Sequence, residues 1–382
     1  VAEGGGGRMG EALMVVKKAC DVLAPLVRCI YHSQNDDTKL TKRDDSMFTI
    51  ADGLVQELLV HHLFKEIRFK DVVAEEDVVC HVDKPPYTVG TLKIPAESPI
   101  SGRLEEAKSN LKALAEELVE LEDSKEKEGS PGFDEMTLFI DPIDGTREFT
   151  EKKGECCTIC VGFALKGAAD AGIVYRPIPE AGGTWAAGCR REGYFSSNLE
   201  MSGYDPAVAP AGESRDSLIM MTPNKVTKFV KQVCAKLGAE RVCTGGCGNK
   251  VLTMLERGNA WYILDRGLSR WDTCAPQAIL EAHGGDLCKL TTFCQENGRE
   301  GYTYVKGETN KDYNSKAWLT RYNAKGWTDD FEGKQAETLE LLHPYANVCG
   351  CVGYSKTSPE TLRRVREAVR SVAEEDAEPI YT

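Results

Sequence analysis

Met9 to Tyr31 places apolar residues at Leu13, Val16, Cys20, Leu23 and Leu26, the three-and-four spacing of a helix with one buried face. Ile50 to Ile67 repeats the pattern at Leu54, Leu58, Leu59 and Leu63, which predicts a second helix against the first; the polar run Gln34 to Asp45 between them reads as a loop. Ile67 to Ala74 reads as a short strand. From Val79 to Phe133 the pattern predicts an insertion with a charged helix at Gly102 to Lys125, left through Gly129-Ser130-Pro131-Gly132. Strands at 136–141, 157–165, 170–176, 184–189 and 192–195, separated by turns, predict an antiparallel meander. After residue 215 strand and helix alternate: strands at Leu218 to Thr222, Trp261 to Leu264 and Gly350 to Tyr354, and helices at Lys225 to Leu237, Gly248 to Arg257, Thr273 to His283 and Ser358 to Ala373. Thr291 to Leu342 is polar and reads as a second insertion or lid. Periodicity therefore gives α+β or α/β, divided into an N-terminal α+β part, residues 1–200, and a C-terminal α/β part, residues 201–382.

Chemistry concentrates at strand ends. The apolar run Met136-Thr137-Leu138-Phe139-Ile140 leads into Asp141-Pro142-Ile143-Asp144-Gly145-Thr146, two carboxylates and a hydroxyl in six residues. Aspartates three apart on a regular strand point to opposite faces, so the expectation is that Pro142 and Gly145 bend the chain until both converge. Convergent carboxylates repel unless a cation lies between them, and hard divalent ions such as Mg²⁺ take oxygen ligands while keeping positions for water and phosphate. Glu75-Glu76 ends the strand before the first insertion, and Trp271-Asp272-Thr273 opens a helix after the Tyr262-Ile263-Leu264 strand.

Glu-Glu, Asp-Pro-Ile-Asp-Gly-Thr and Trp-Asp, in that order, resemble the lithium-sensitive, magnesium-dependent phosphomonoesterases of the inositol monophosphatase superfamily, over residues of about 10 to 370. Gly245-Gly246-Cys247-Gly248-Asn249-Lys250 and Trp271-Asp272-Thr273-Cys274-Ala275-Pro276 are more similar to the 3′(2′),5′-bisphosphate nucleotidase branch. Phe48-Thr49-Ile50-Ala51-Asp52-Gly53-Leu54-Val55-Gln56-Glu57 is more similar to the inositol polyphosphate 1-phosphatase branch. The resemblance implies a layered α/β/α/β/α sandwich. It implies a first Mg²⁺ on Glu75, Asp141 and the Ile143 carbonyl, a second on Asp141, Asp144 and Asp272, and Glu76 acting through water. Thr146 would aim the attacking water. The family pairs that Thr with an aspartate six residues before the Ala-Asp pair; Ser46 stands there in this chain, so Asp45, assisted by Thr49, is expected to take the place at a third ion. Substrate would meet Gly145, Thr146 and Asp272, the Gly246, Gly248 and Lys250 loop, and Thr222 with Lys225.

The implied reaction is removal of the 3′-phosphate of adenosine 3′,5′-bisphosphate, with inositol 1,4-bisphosphate 1-phosphatase activity as the alternative and a catalytically silent phosphate sensor as a remote one. Li⁺ inhibition and non-productive replacement by Ca²⁺ go with it. Composition adds exclusions. A net charge of −13 argues against a nucleic-acid partner. No run reaches the roughly 18 apolar residues of a membrane span and the first residues lack a signal-peptide core, so the expectation is a cytoplasmic monomer or weak dimer acting on a small phosphate ester. The 15 cysteines lack scaffold or zinc spacing and read as reduced structural thiols.

Overall fold

The computed structural model describes residues 7–34, 39–41, 47–77, 99–124, 131–179, 182–201, 218–224, 226–265, 268–293, 300–306, 345–347 and 350–375. Helix α1 (Arg8–Ser33) is followed by the short antiparallel pair β1 (Lys39–Thr41) and β2 (Met47–Thr49) and by α2 (Ile50–Leu58), which continues as a wider turn, Leu59–Leu63. Strand β3 (Asp71–Ala74) and helix α3 (Pro99–Asp123) come next. The predicted insertion helix buries Ile100, Ala107, Leu111 and Leu118, a roughly seven-residue rhythm that lays it along α1, with Lys18 paired to Glu117 across the contact. It is part of the first core rather than a surface decoration.

The meander forms as expected. Strands β4 (Met136–Asp144), β5 (Thr158–Leu165), β6 (Ala168–Arg176), β7 (Thr184–Cys189) and β8 (Tyr194–Ser197) pair antiparallel in sequence order, and β3 adds to β4 in parallel, giving six strands. Helix α4 (Thr146–Thr150) follows β4 directly. Alternation along each strand divides the sheet cleanly. Leu138, Ile140, Ile159, Val161, Ile173, Tyr175, Trp185 and Ala187 pack with α1, α2 and α3, whereas Phe139, Cys160, Val174 and Ala186 join a second core.

That second core contains the five-stranded sheet, ordered β10-β9-β11-β15-β13, where β9 is Ile219–Thr222, β10 Glu240–Cys243, β11 Ala260–Leu264, β13 Asp286–Lys289 and β15 Cys351–Tyr354. Helices α5 (Lys228–Leu237), α6 (Cys247–Arg257), α7 (Arg270–Ala282), α8 (Leu290–Phe293) and α9 (Pro359–Glu375) complete it. On β11, Tyr262 lies under Lys250 of α6, while its neighbour Trp261 faces Phe293, which Arg366 of α9 covers. Helices α6 and α7 thus lie between the sheets, with α5 and α9 outside the second: the five layers expected. Strands β10 and β13 were not expected; both have four residues, and β10 is an edge strand of exposed and half-buried residues with no apolar alternation to reveal it.

A row of glycines sets how closely α7 approaches the first sheet. Gly162, Gly172 and Gly188 are paired across β5, β6 and β7. A Cβ at Gly172 would lie 2.5 Å from the Ala275 Cα, one at Gly162 2.7 Å from the Ala275 nitrogen, and one at Gly188 2.7 Å from the Ala282 Cβ. The helix therefore rests on bare backbone.

Within the predicted second insertion, Tyr302 and Tyr304 pack into the core, the Tyr304 hydroxyl donating to Gln277 Oε1 at 2.8 Å. Beyond residue 344, β14 (Ala346–Asn347) pairs with β12 (Leu268–Ser269) just before α7. Arg270 donates its side chain to the Val305 carbonyl and its backbone N–H to the Tyr345 carbonyl.

Candidate active site and metal centre

Strand β4 delivers both aspartates of the central motif to one face. Opposite β5 the register moves from Asp141↔Cys160 to Asp144↔Thr158, three steps against two. One extra residue in β4 restores Asp144 to the side of Asp141, the effect of a β-bulge. Gly145 then takes φ +92°, in the left-handed region, to start α4. The bend expected from Pro142 and Gly145 is therefore made chiefly inside the strand.

Asp272 arrives from α7. Its side chain accepts from the Ser269 N–H at 2.6 Å, closing a capping box at the helix start. Carboxylate oxygens of Asp141, Asp144 and Asp272 lie within 4.8 Å of one another. Asp141 is buried, and among the described residues its Oδ1 has no hydrogen-bond partner. A buried, unsatisfied carboxylate oxygen facing two further carboxylates is what a hard cation site requires and what an apolar core would reject. Electrostatics agree: burial, then Glu75, Asp144 and Asp272, hold the Asp141 carboxyl well above the ordinary range. Asp272 is pushed up to about 7 by desolvation, then by Asp144 and Glu75. Glu75, half-buried at the end of β3, thus belongs to the same field; Glu76 is fully buried, its N–H donating to Gln56 Oε1 at 3.0 Å.

Asp144 is held differently. Burial raises its pKa, opposed by Lys250, by the Gly248 and Cys247 amides and by the Thr158 hydroxyl. The amides donate at 2.6 and 3.0 Å and Thr158 Oγ1 lies at 3.1 Å. The start of α6, expected to cradle a substrate anion, therefore binds the protein's own carboxylate. Gly246 and Gly248 serve close approach: a Cβ at Gly246 would lie 2.9 Å from Asp144 Oδ2, one at Gly248 2.5 Å from Thr158 Oγ1. Lys250 is buried and donates to the Gly246 carbonyl at 2.8 Å, which makes it an internal counter-charge. Thr222 is buried; its hydroxyl accepts from Arg241 and its carbonyl receives the Thr244 amide, so it supports this loop from behind.

Thr146 Oγ1 lies 2.9 Å from the Ile143 carbonyl oxygen and 3.1 Å from Asp52 Oδ1. Asp52 is fully buried, and its other oxygen accepts from Thr49 through both the backbone N–H, at 2.8 Å, and the hydroxyl, at 2.5 Å. Among the described residues the carboxylate beside Thr146 is Asp52, at the start of α2. Asp45, to which the sequence reading gave that place, lies outside the described residues, as do Ser46 and Lys225. Thr49-x-x-Asp52 is itself a capping-box signature, and that signal marks the position of Asp52 without marking its function. Thr158 and Gln56 were also missed: Thr158 lies in no motif, and Gln56 lies within the Phe48-to-Glu57 string, where nothing singles it out.

With fold and geometry in hand, the kinship is decided by a family model, the inositol monophosphatase family, that matches residues 11–319. The chain belongs to the inositol monophosphatase family. Human 3′(2′),5′-bisphosphate nucleotidase 1 is 33% identical over 161 residues, 41% of this chain and 51% of that protein. The mouse Golgi-resident adenosine 3′,5′-bisphosphate 3′-phosphatase is 28% identical over 177 residues, covering 44% and 46%. The chain spans about half the length of the curated relatives it matches. Among solved structures, an IMPase/NADP phosphatase complexed with Mg²⁺ and phosphate superposes with a TM-score of 0.50 over 95% of this chain and 93% of its own, at 14% identity. That likeness shows the inositol monophosphatase fold.

Proposed function

We propose that this chain is a Mg²⁺-dependent phosphomonoesterase that removes the 3′-phosphate of adenosine 3′,5′-bisphosphate to give AMP and phosphate. The observation that carries the reading is the meeting of Asp141, Asp144 and Asp272 within 4.8 Å, beside a threonine hydroxyl backed by a buried aspartate. Glu75, Asp141, the Ile143 carbonyl, Asp144 and Asp272 would hold two ions, and Asp52 with Thr146 would serve a third. Such ions polarise the phosphoryl oxygens, lower the pKa of water and stabilise the leaving alkoxide. The protein's own part is orientation and proton handling. With Asp52 accepting at Oδ1, Thr146 Oγ1 has its lone pairs left for the attacking water, and Asp52 is placed to draw proton density through that hydroxyl. The Thr49 amide and hydroxyl keep Asp52 in that rotamer.

The nucleotide is preferred as substrate because relatives named for bisphosphate nucleotides match at 28–33% identity. Steady-state kinetics on adenosine 3′,5′-bisphosphate and inositol 1,4-bisphosphate test it: a kcat/KM favouring the inositol ester tenfold would overturn the substrate, and no Mg²⁺-dependent phosphate release from either would overturn the enzyme. Li⁺ inhibition and inactive binding of Ca²⁺ are part of the same reading. So are a monomer or weak dimer and a reducing, cytoplasmic setting; the latter is supported by free cysteines throughout the described residues, most of them buried. No helix among the described residues is long and apolar enough to cross a membrane.

A further inference from the structure

Arg176, the last residue of β6, is buried, and most of its guanidinium hydrogen bonds go to one helix. Its Nε donates to Asn249 Oδ1 at 2.7 Å, and its two terminal nitrogens meet Glu256 at 2.5 and 3.2 Å, with a further bond to the Thr253 hydroxyl at 3.0 Å. These three partners are on α6; a terminal nitrogen also donates to Thr184 Oγ1 of β7 at 3.3 Å. Because a guanidinium offers donors only, the Asn249 oxygen must face it, and the Asn249 amide nitrogen is thereby turned toward the loop before the helix. There it donates to Thr244 Oγ1 at 2.7 Å and to the Gly245 carbonyl at 3.3 Å, and Thr244 in turn donates to Cys156 Sγ. The next residues of that loop are Gly246, at φ +61° against Asp144, and then Cys247 and Gly248, whose amides grip Asp144.

We propose that Arg176 is a positioning residue for the metal centre: through Asn249 it sets the Thr244–Gly246 turn and so aims the two amides that hold Asp144. Mutual support of this kind around a ligating carboxylate is commonly worth about tenfold or more in metal affinity. The inference rests on the metal-site reading for its consequence, while its structural half stands without metal.

The test uses Asn249→Asp, which keeps the acceptor for Arg176 but presents an oxygen to the Gly245 carbonyl, together with Arg176→Lys and Thr244→Val. Hydrogen exchange of metal-free protein should quicken about tenfold at residues 244–248 in Asn249→Asp, with protection elsewhere unchanged; a tenfold change is about 1.4 kcal/mol. Calorimetric titration with Mg²⁺, without substrate, should give a Kd about tenfold weaker in Asn249→Asp and Arg176→Lys, with Thr244→Val between these and the parent. Unchanged exchange in the loop overturns the proposal, and so does faster exchange with an unaltered Mg²⁺ Kd. If the parent protein itself takes up no Mg²⁺, the metal reading fails, and the exchange pattern alone then judges whether Arg176 sets the loop. Should Arg176→Lys fail to fold, Asn249→Asp and Thr244→Val carry the test, because neither touches the Arg176–Glu256 pair.

Discussion

The two faces of the six-stranded sheet are built from the same strands and do opposite jobs. The face toward α1–α3 is filled with large side chains, Ile140, Val161, Phe163, Ile173 and Trp185 among them. The face toward α7 carries Gly162, Gly172 and Gly188 under the helix and the carboxylates of Asp141 and Asp144 at its end. Bulky packing can yield by small rotamer changes, whereas backbone on backbone has nothing to yield. The first face holds the sheet together; the second sets where Asp272 stands.

Substitutions on each face should separate these roles. Asp141→Asn is expected to lower kcat/KM by about three orders of magnitude, since the metal's charge stabilisation of several kcal/mol is lost. The same change removes a carboxyl whose burial and carboxylate neighbours disfavour it, so the melting temperature of metal-free protein should not fall; a fall would mean that Asp141 is held by the fold rather than reserved for a ligand. Thr146→Val should cost about 10²-fold in kcat with KM little altered, and Asp52→Asn a similar amount. Full activity in Asp52→Asn would detach Asp52 from the reaction. Gly172→Val should push α7 away and cost about tenfold to 10²-fold in activity, by misplacing Asp272, with a stability loss of about 1–3 kcal/mol.

A gentler probe is pH. Asp272 is raised from 3.8 to about 7 in the metal-free fold, so the folded state holds a proton there that the unfolded chain releases. Its contribution to stability is complete below about pH 3.8 and gone once pH passes about 7. Bound Mg²⁺ favours the carboxylate, so the rise in melting temperature on adding saturating Mg²⁺ should be larger at pH 8 than at pH 5.5; equal shifts would contradict the cluster's electrostatics. Smallest of all, Ile173→Val on the helix-pair face should cost about 1 kcal/mol with kcat/KM unchanged. If it disturbs catalysis as Gly172→Val does, the two faces are not distinct.

Much of this was written in local patterns. Helices α1, α2 and α9 and the meander follow from apolar spacing, and Asp141, Asp144, Glu75 and Asp272 stand in motifs that announce oxygen ligands. What escaped the sequence is relational. Asp52 sits in an ordinary capping box until Thr146, 94 residues away, is folded against it. Lys250 and the glycines around it look like an anion site, because nothing local reveals that Asp144, more than 100 residues upstream, already supplies the anion. Strand β10 lacks alternation because it is an edge whose side chains are at most half-buried.

Arg270 holds the Val305 carbonyl on one side and the Tyr345 carbonyl on the other. Val305 and Tyr345, 40 positions apart in sequence, are therefore tied to one residue, by its side chain and its backbone respectively. That residue opens α7 two positions before Asp272, so the register of Asp272 is fixed from both sides by the same arginine.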